Sequence, residues 1–241
     1  MELNVNVFKD VLKKGTVNYL IDSIGITVDP TSIKCNMLSA DRSALVFLNL
    51  PNTMIEGLKD EVTLNFTEPN TKVKPYLEIL DEETVPMTIS DSMIRINKQL
   101  KINFDDESVI SNYGSDDPRH PIEYFTSMPI DSDFMVNFKK IQKIGSRFGK
   151  VYFIVDDNKL YIESTDKTNS YSNSVKFFVC DVKYENLELC FKYKSFVNLM
   201  SLIPVDEFDL NLCYVKDKKL GLIGILKKDE SERYFLMSTM E

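Results

Sequence analysis

The chain has 241 residues, 43% of them hydrophobic and 27% charged, and a formal net charge of −8. That length suits two domains of ordinary size. No apolar run approaches the ~20 residues of a membrane helix, and Met1-Glu2-Leu3-Asn4 lacks the basic-then-apolar order of a signal peptide, so a soluble, unexported protein is expected. An acidic chain is a poor nucleic-acid binder unless its positive charges are segregated onto one face.

Leu3, Val5 and Val7 alternate with polar residues as a half-buried strand does, and from Phe8 the period turns helical and fades near Ile21. Ile24 to Val28, Ile33 to Leu38 and Ala44 to Leu50 are short apolar runs separated by Asp29-Pro30 and Ser39-Ala40-Asp41, which predicts an antiparallel meander. Val62 to Phe66 is a further strand. Glu68 to Thr71 precede a short helix carrying Val73, Tyr76, Leu77 and Leu80, with Pro75 tolerated in its first turn. Strands follow at Val85–Ile89, Met93–Ile96 and Leu100–Phe104. The segment 105–121 breaks the periodicity with Asp105, Asp106, Glu107, Asp116, Asp117, Gly114, Pro118 and Pro121, and is read as a solvated linker.

Beyond it the order is replayed. Ile122 to Met128 is a strand, Asp131 to Gly145 a helix capped by Asp131 or Ser132, and strands are expected near Val151–Val155, Leu160–Ser164, Val175–Val182 and Leu187–Phe191. A helix from Tyr193 to Ile203 stops at Pro204, and strands at Phe208–Tyr214, Leu220–Leu226 and Arg233–Met237 complete the copy. Phe8 with Lys13-Lys14 and Phe134 with Lys139-Lys140 stand in identical register. The chain therefore reads as a duplicated α+β unit, antiparallel sheets with two helices each: 1–104, a linker 105–121, and 122–241.

The positive charges gather on the helices. Phe134, Phe138, Ile141 and Phe148 form one face of the second unit's first helix, while Lys139, Lys140, Lys143 and Arg147 share the other with no carboxylate among them. Lys9, Lys13 and Lys14 oppose Phe8, Val11 and Leu12 in the first unit, and the second helices carry Lys72, Lys74, Lys192 and Lys194. One lysine-bearing helix is ordinarily a solvated surface. Repeated in an acidic protein, the arrangement suits a phosphate backbone, which lysines contact without reading bases.

These residues, the opening strand before Leu12-Lys13-Lys14, the Ser39-Ala40-Asp41-Arg42-Ser43 turn, Met128-Pro129 before the Phe134 helix, and the closing Arg233-Tyr234-Phe235-Leu236, resemble the DNA sliding clamps of the proliferating cell nuclear antigen type along the whole chain. The resemblance implies a homotrimeric ring of two-domain subunits, with helices around sequence-independent double-stranded DNA and sheets outside. It would place Lys9, Lys13, Lys14, Lys72, Lys74, Lys139, Lys140, Lys143, Arg147 and Lys194 in the hole. It also implies a subunit interface pairing Leu100, Lys101, Ile102 and Phe104 with Val175, Phe177 and Val179, whose apolar edges are a hazard if left open. The implied partner-peptide pocket comprises Ala40, Ala44, Leu45, Phe47, Leu220, Phe235, Leu236 and Met237, with Val109, Ile110 and Tyr113 from the linker. Ala40 stands where a methionine is usual, and ordinary core is the competing reading of these apolar positions.

No catalytic motif is present: His120, the single histidine, lies between Arg119 and Pro121 in the acidic linker and is a poor candidate for a general base, and that linker lacks the register of a cation-binding loop. Cys35, Cys180, Cys190 and Cys213 lie without CxxC spacing in apolar runs and read as reduced, small hydrophobes. The expectation is a non-enzymatic processivity factor, without cofactor, metal or membrane, working intracellularly at replicating DNA with a DNA polymerase and an ATP-dependent clamp loader. The alternatives are a monomeric viral processivity factor that binds DNA by charge alone and a protein-interaction scaffold without DNA binding.

Overall fold

A computed structural model describes residues 1–169, 172–184, 186–215 and 220–239. The chain divides into two compact units, Met1–Asp117 and Pro118–Glu241.

In the first unit, β1 (Glu2–Asn4) runs directly into α1 (Val5–Gly15). The expected strand through Val7 is cut short because the Asn4 side chain accepts a hydrogen bond from the Val7 amide at 3.1 Å, satisfying a donor that the helix start leaves open. The helix ends at Gly15, well before Ile21. There follow β2 (Ser23–Val28), β3 (Ser32–Leu38), β4 (Ala44–Pro51), β5 (Ile55–Glu56) and β6 (Val62–Thr67). The expected second helix is two short ones, α2 (Pro69–Lys72) and α3 (Lys74–Glu78). Pro75 has no amide hydrogen to donate and its ring crowds the carbonyl four residues back, so one continuous helix cannot pass through it. β7 (Thr84–Ser90), β8 (Met93–Ile96) and β9 (Leu100–Asn103) close the unit, leaving Phe104 outside its expected strand. One antiparallel sheet has the order β5-β1-β7-β8-β9, and a second pairs β4-β3-β2-β6. The core lies where Phe8 of α1 meets Phe66 of β6, ring centroids 6.0 Å apart.

Part of the segment read as a solvated linker is built into this unit. β2 and β3 pair only at Thr27–Lys34 and Val28–Ile33. Where they separate, Leu38 N–H donates to Ser111 O (3.1 Å), Tyr113 N–H to Asn36 O (2.8 Å) and Ser111 N–H to Ser23 Oγ (3.1 Å), so 111–113 runs along the free stretch of β3. Upstream, Asp105 accepts from the amide and hydroxyl of Thr67 at 2.6 and 2.8 Å. These bonds, the amide's first, hold its carboxyl below the ordinary range. The acidic composition hid a segment whose backbone groups find partners on the sheet.

In the second unit come β10 (Ile122–Pro129), α4 (Ser132–Gly145), β11 (Lys150–Asp156), β12 (Lys159–Ser164), β13 (Val175–Asp181), β14 (Leu187–Lys192), α5 (Tyr193–Met200), β15 (Phe208–Val215), β16 (Leu220–Lys227) and β17 (Glu232–Met237). One sheet has the order β13-β12-β11-β14, and the other pairs β10-β15-β16-β17. α5 stops at Met200, short of the expected Ile203. Among the described residues no helix is long and apolar enough to cross a membrane.

Candidate nucleic-acid interface

The basic face is built from α4 outward. Asp131 caps the helix, accepting from the Phe134 amide at 2.8 Å, and Asp133 in the first turn and Lys143 in the last complement the helix dipole. Phe134, Phe138, Ile141 and Gly145 are buried. Phe138 meets Phe196 of α5 edge-on at 5.5 Å, and Phe196 meets Phe153 of β11 at 5.5 Å. This aromatic contact orients the rest of α4 toward solvent. Tyr193 of α5 donates its hydroxyl to Gln142 O at 2.8 Å, an approach that depends on Gly145, because a Cβ there would stand 2.5 Å from Tyr193 Cε2.

The opposite side of α4 exposes Lys139, Lys140 and Lys143, with Arg147 just beyond the helix and Lys194 exposed on α5. Lys140 is partly held, donating to Asn137 Oδ1 at 3.1 Å and lying 5.2 Å from the Phe177 ring centroid. Among the described residues, no carboxylate pairs with Lys139, Lys143 or Arg147.

The first unit presents its cations differently. Lys13 is exposed and Lys9 half-buried, but Lys14 pairs with Asp10 at 2.9 Å, Lys72 with Glu68 at 3.4 Å and Lys74 with Glu78 at 3.7 Å, all at i,i+4 spacing. Such exposed pairs contribute only about 0.3–0.5 kcal/mol each and are easily opened, yet at rest they reduce the positive field of this unit. The sequence reading, which weighed the lysines alone, missed these carboxylates although their helical spacing is legible.

The two strands expected at a subunit interface are each the last strand of their own sheet: β9 follows β8, and β13 follows β12. On β9, Leu100 is half-buried and Lys101 exposed, but Ile102 is buried and Phe104 packs on Phe66 at 5.8 Å, so those two belong to the core of the first unit. On β13, Val175, Phe177 and Val179 are half-buried, while Phe178 on the other face is 48% exposed. The sequence reading chose the inward register and passed over Phe178. Of the residues expected to hold a partner peptide, Ala44, Leu45 and Phe47 are buried, Tyr113 meets Phe47 edge-on at 5.5 Å, and Ala40, Val109 and Ile110 keep more exposure. In the second unit Phe235 and Leu236 are buried, and Leu220 and Met237 pack on the core cluster of Cys213, Val215 and Leu222.

No protein-family model matches this sequence, and no curated protein matches it. Solved structures do. The chain is similar to the PCNA of A. fulgidus, solved bound to the C-terminal region of FEN-1, at 13% identity and a TM-score of 0.67, with 100% of this chain and 98% of that one covered. It is similar to the DNA polymerase III beta chain of Streptococcus pneumoniae TIGR4 at 11% identity and a TM-score of 0.72, covering 100% of this chain and 64% of that one. It is similar to the Helicobacter pylori beta clamp, solved with a DNA ligase peptide, at 14% identity and a TM-score of 0.66, covering 100% and 65%. The chain thus spans nearly the whole archaeal clamp subunit and about two-thirds of the bacterial ones. Its fold is that of the DNA sliding clamps.

Proposed function

We propose that this chain is a subunit of a sliding clamp, a non-enzymatic processivity factor that encircles duplex DNA and tethers a DNA polymerase and other replication proteins. The observation that carries the reading is the unpaired cationic face of α4 in a chain of net charge −8 that has the clamp fold end to end. Lysines distributed along a helix contact phosphates that repeat at every step of the duplex, so binding is sequence-independent and movement along the DNA meets only small barriers. Acidic surface elsewhere disfavours binding outside the basic face.

In this reading 1–104 and 122–241 are the two clamp domains, 105–121 connects them, and three subunits close the ring by pairing β9 of one with β13 of the next. The likeness covers 98% of a PCNA subunit, which supports a two-domain subunit. Clamps solved with FEN-1 and DNA ligase peptides make a short peptide the natural partner class, and the exposed Ala40 and Val109 with the half-buried Ile110 are the apolar positions offered to it by the first unit. Loading falls to a separate ATP-dependent protein, at replicating DNA inside the cell.

Light scattering coupled to gel filtration, with binding to a nicked circular plasmid before and after linearisation, tests the proposal. The expected results are a mass near three times the 27.8 kDa chain and retention on the circle that linearisation abolishes. Retention on both forms by a single chain supports a monomeric factor that holds DNA by charge, and a single chain retained on neither form supports a scaffold.

A further inference from the structure

The least relaxed backbone in the first unit lies just after α1. Val17, Asn18 and Tyr19 take φ values of 46°, 48° and 77°, three successive residues in the left-handed region, none of them glycine and the first β-branched. That conformation crowds Cβ against the neighbouring carbonyl, most of all for a branched side chain, and persists only where the surroundings enforce it. Here they do: Asn18 N–H donates to Lys13 O at 2.9 Å, Leu20 and Ile21 N–H both donate to Thr16 O at 2.9 Å, and Val17 and Ile21 are buried.

The second unit shows that the same scaffold has a relaxed exit. α4 continues for a further turn, and the left-handed position that follows is a glycine, Gly149 at φ 71°. In the first unit the strained turn instead delivers an aromatic side chain to the surface, with Tyr19 54% exposed. Lys74 Nζ of α3 donates to the Tyr19 hydroxyl at 3.2 Å and lies 5.6 Å from its ring centroid. An ammonium donating to the phenolic oxygen leaves the phenolic O–H free to donate elsewhere. Two donors then stand together where the exit of α1 meets α3.

We propose that Tyr19 is a phosphate-contacting residue of the duplex-binding face, donating its hydroxyl to a non-bridging backbone oxygen while Lys74 supplies charge to the same group. The inference rests on the duplex-binding reading above and adds to it a neutral, sequence-independent contact. The Glu78 carboxylate, 3.7 Å from Lys74, is an exposed partner that a phosphate displaces.

The full chain and three variants, Y19F, Y19L and Y19G, are titrated with a short mixed-sequence duplex by fluorescence anisotropy over a range of salt. Y19F and Y19L are expected to weaken binding alike, by about tenfold, from the loss of a hydrogen bond to a charged group. Both should keep the parent salt slope, because a neutral donor releases no counterion, whereas K74Q should lower that slope by about 0.9. Y19G should weaken binding equally while melting no lower than the parent, since glycine relaxes the turn. Three results overturn the inference: Y19F binding as the parent does, Y19F binding normally while Y19L fails, which is base stacking, or Y19G losing stability in step with affinity, which is a structural role. A parent chain that binds no duplex overturns both this inference and the function beneath it, whereas parent binding with an unaffected Y19F overturns the inference alone.

Discussion

Neutralising α4 should remove most of the DNA affinity without touching the fold. K139Q, K140Q and K143Q exchange residues of similar helix propensity on an exposed face, so stability is expected to change little. Each phosphate contact contributes about 0.9 to the slope of log K against log salt. Lys139 and Lys143 have no carboxylate partner among the described residues, whereas Lys140 is tethered to Asn137 and the Phe177 ring. Two to three contacts at about 0.1 M salt, measured against a 1 M reference, amount to about 1.8–2.7 logarithmic units, or roughly 60- to 500-fold. The parallel variant of α1, K9Q with K13Q and K14Q, should lose closer to one contact, about 8-fold, because Lys14 is paired with Asp10 and Lys9 is half-buried. Salt titrations of duplex anisotropy on both variants, with circular dichroism and mass as fold controls, read the difference directly. Equal losses from the two helices, or a slope change below about 1 for the α4 variant, would refute the argument that unpaired cations set the affinity.

Replacing Gly145 by Ala forces a Cβ to within 2.5 Å of the Tyr193 ring and breaks the hydroxyl bond to Gln142 O; overpacking and the lost bond outweigh the ~1 kcal/mol helix gain, for a net cost of about 1–3 kcal/mol by urea denaturation. An unchanged midpoint would deny that close approach. Phe178→Glu, at an exposed site on the β13 edge, should convert a three-chain particle to single chains with an unchanged circular dichroism spectrum, and a persistent trimer would exclude this face of β13 from the contact. Acid stability follows from Asp105, Asp106, Asp166 and Asp229, all held below the ordinary carboxylate range by hydrogen bonds from Thr67, Ser108, Thr168 and Ser231 respectively. Because their folded values are depressed, they stabilise the fold above the unfolded value and lose that contribution as pH falls through the folded one. The urea midpoint should hold steady from about pH 7 to about pH 5 and decline below about 4, less steeply in Asp105→Asn.

The succession of most strands and helices along the chain and the buried face of α4 were legible because period-two and period-3.6 patterns are properties of side chains in sequence. Asp131 was one of two cap candidates, with Ser132, and it is Asp131 whose carboxylate accepts from the Phe134 amide. What escaped depends on backbone partners. Val5 and Val7 were placed within a strand although Asn4 caps a helix that begins at Val5, and Asn112 was placed in a solvated linker although it runs beside β3. Neither the splaying of β2 from β3 nor the left-handed run at Val17 leaves a mark in composition. The face of an edge strand is equally silent: alternation along Val175 to Val179 identifies two registers, and only the packing of Phe177 under Lys140 decides which one is left for a partner.

The two units differ in how available their charge is, and the magnitudes say what that difference would do on DNA. A phosphate contact at about 0.1 M salt contributes about 1.2 kcal/mol, more than the 0.3–0.5 kcal/mol of an exposed i,i+4 pair. On the proposed function, DNA would displace Asp10, Glu68 and Glu78 from Lys14, Lys72 and Lys74, but would retain only part of the gain and leave each freed carboxylate near a phosphate. In that proposal the first unit's lysines would be weak, interchangeable contacts and α4 would carry the stronger ones. For the sliding clamp proposed above this inequality would matter: a ring with uniformly strong contacts would bind a fixed position, whereas one strong face per subunit, flanked by contacts that open at little cost, would let the duplex shift one step at a time.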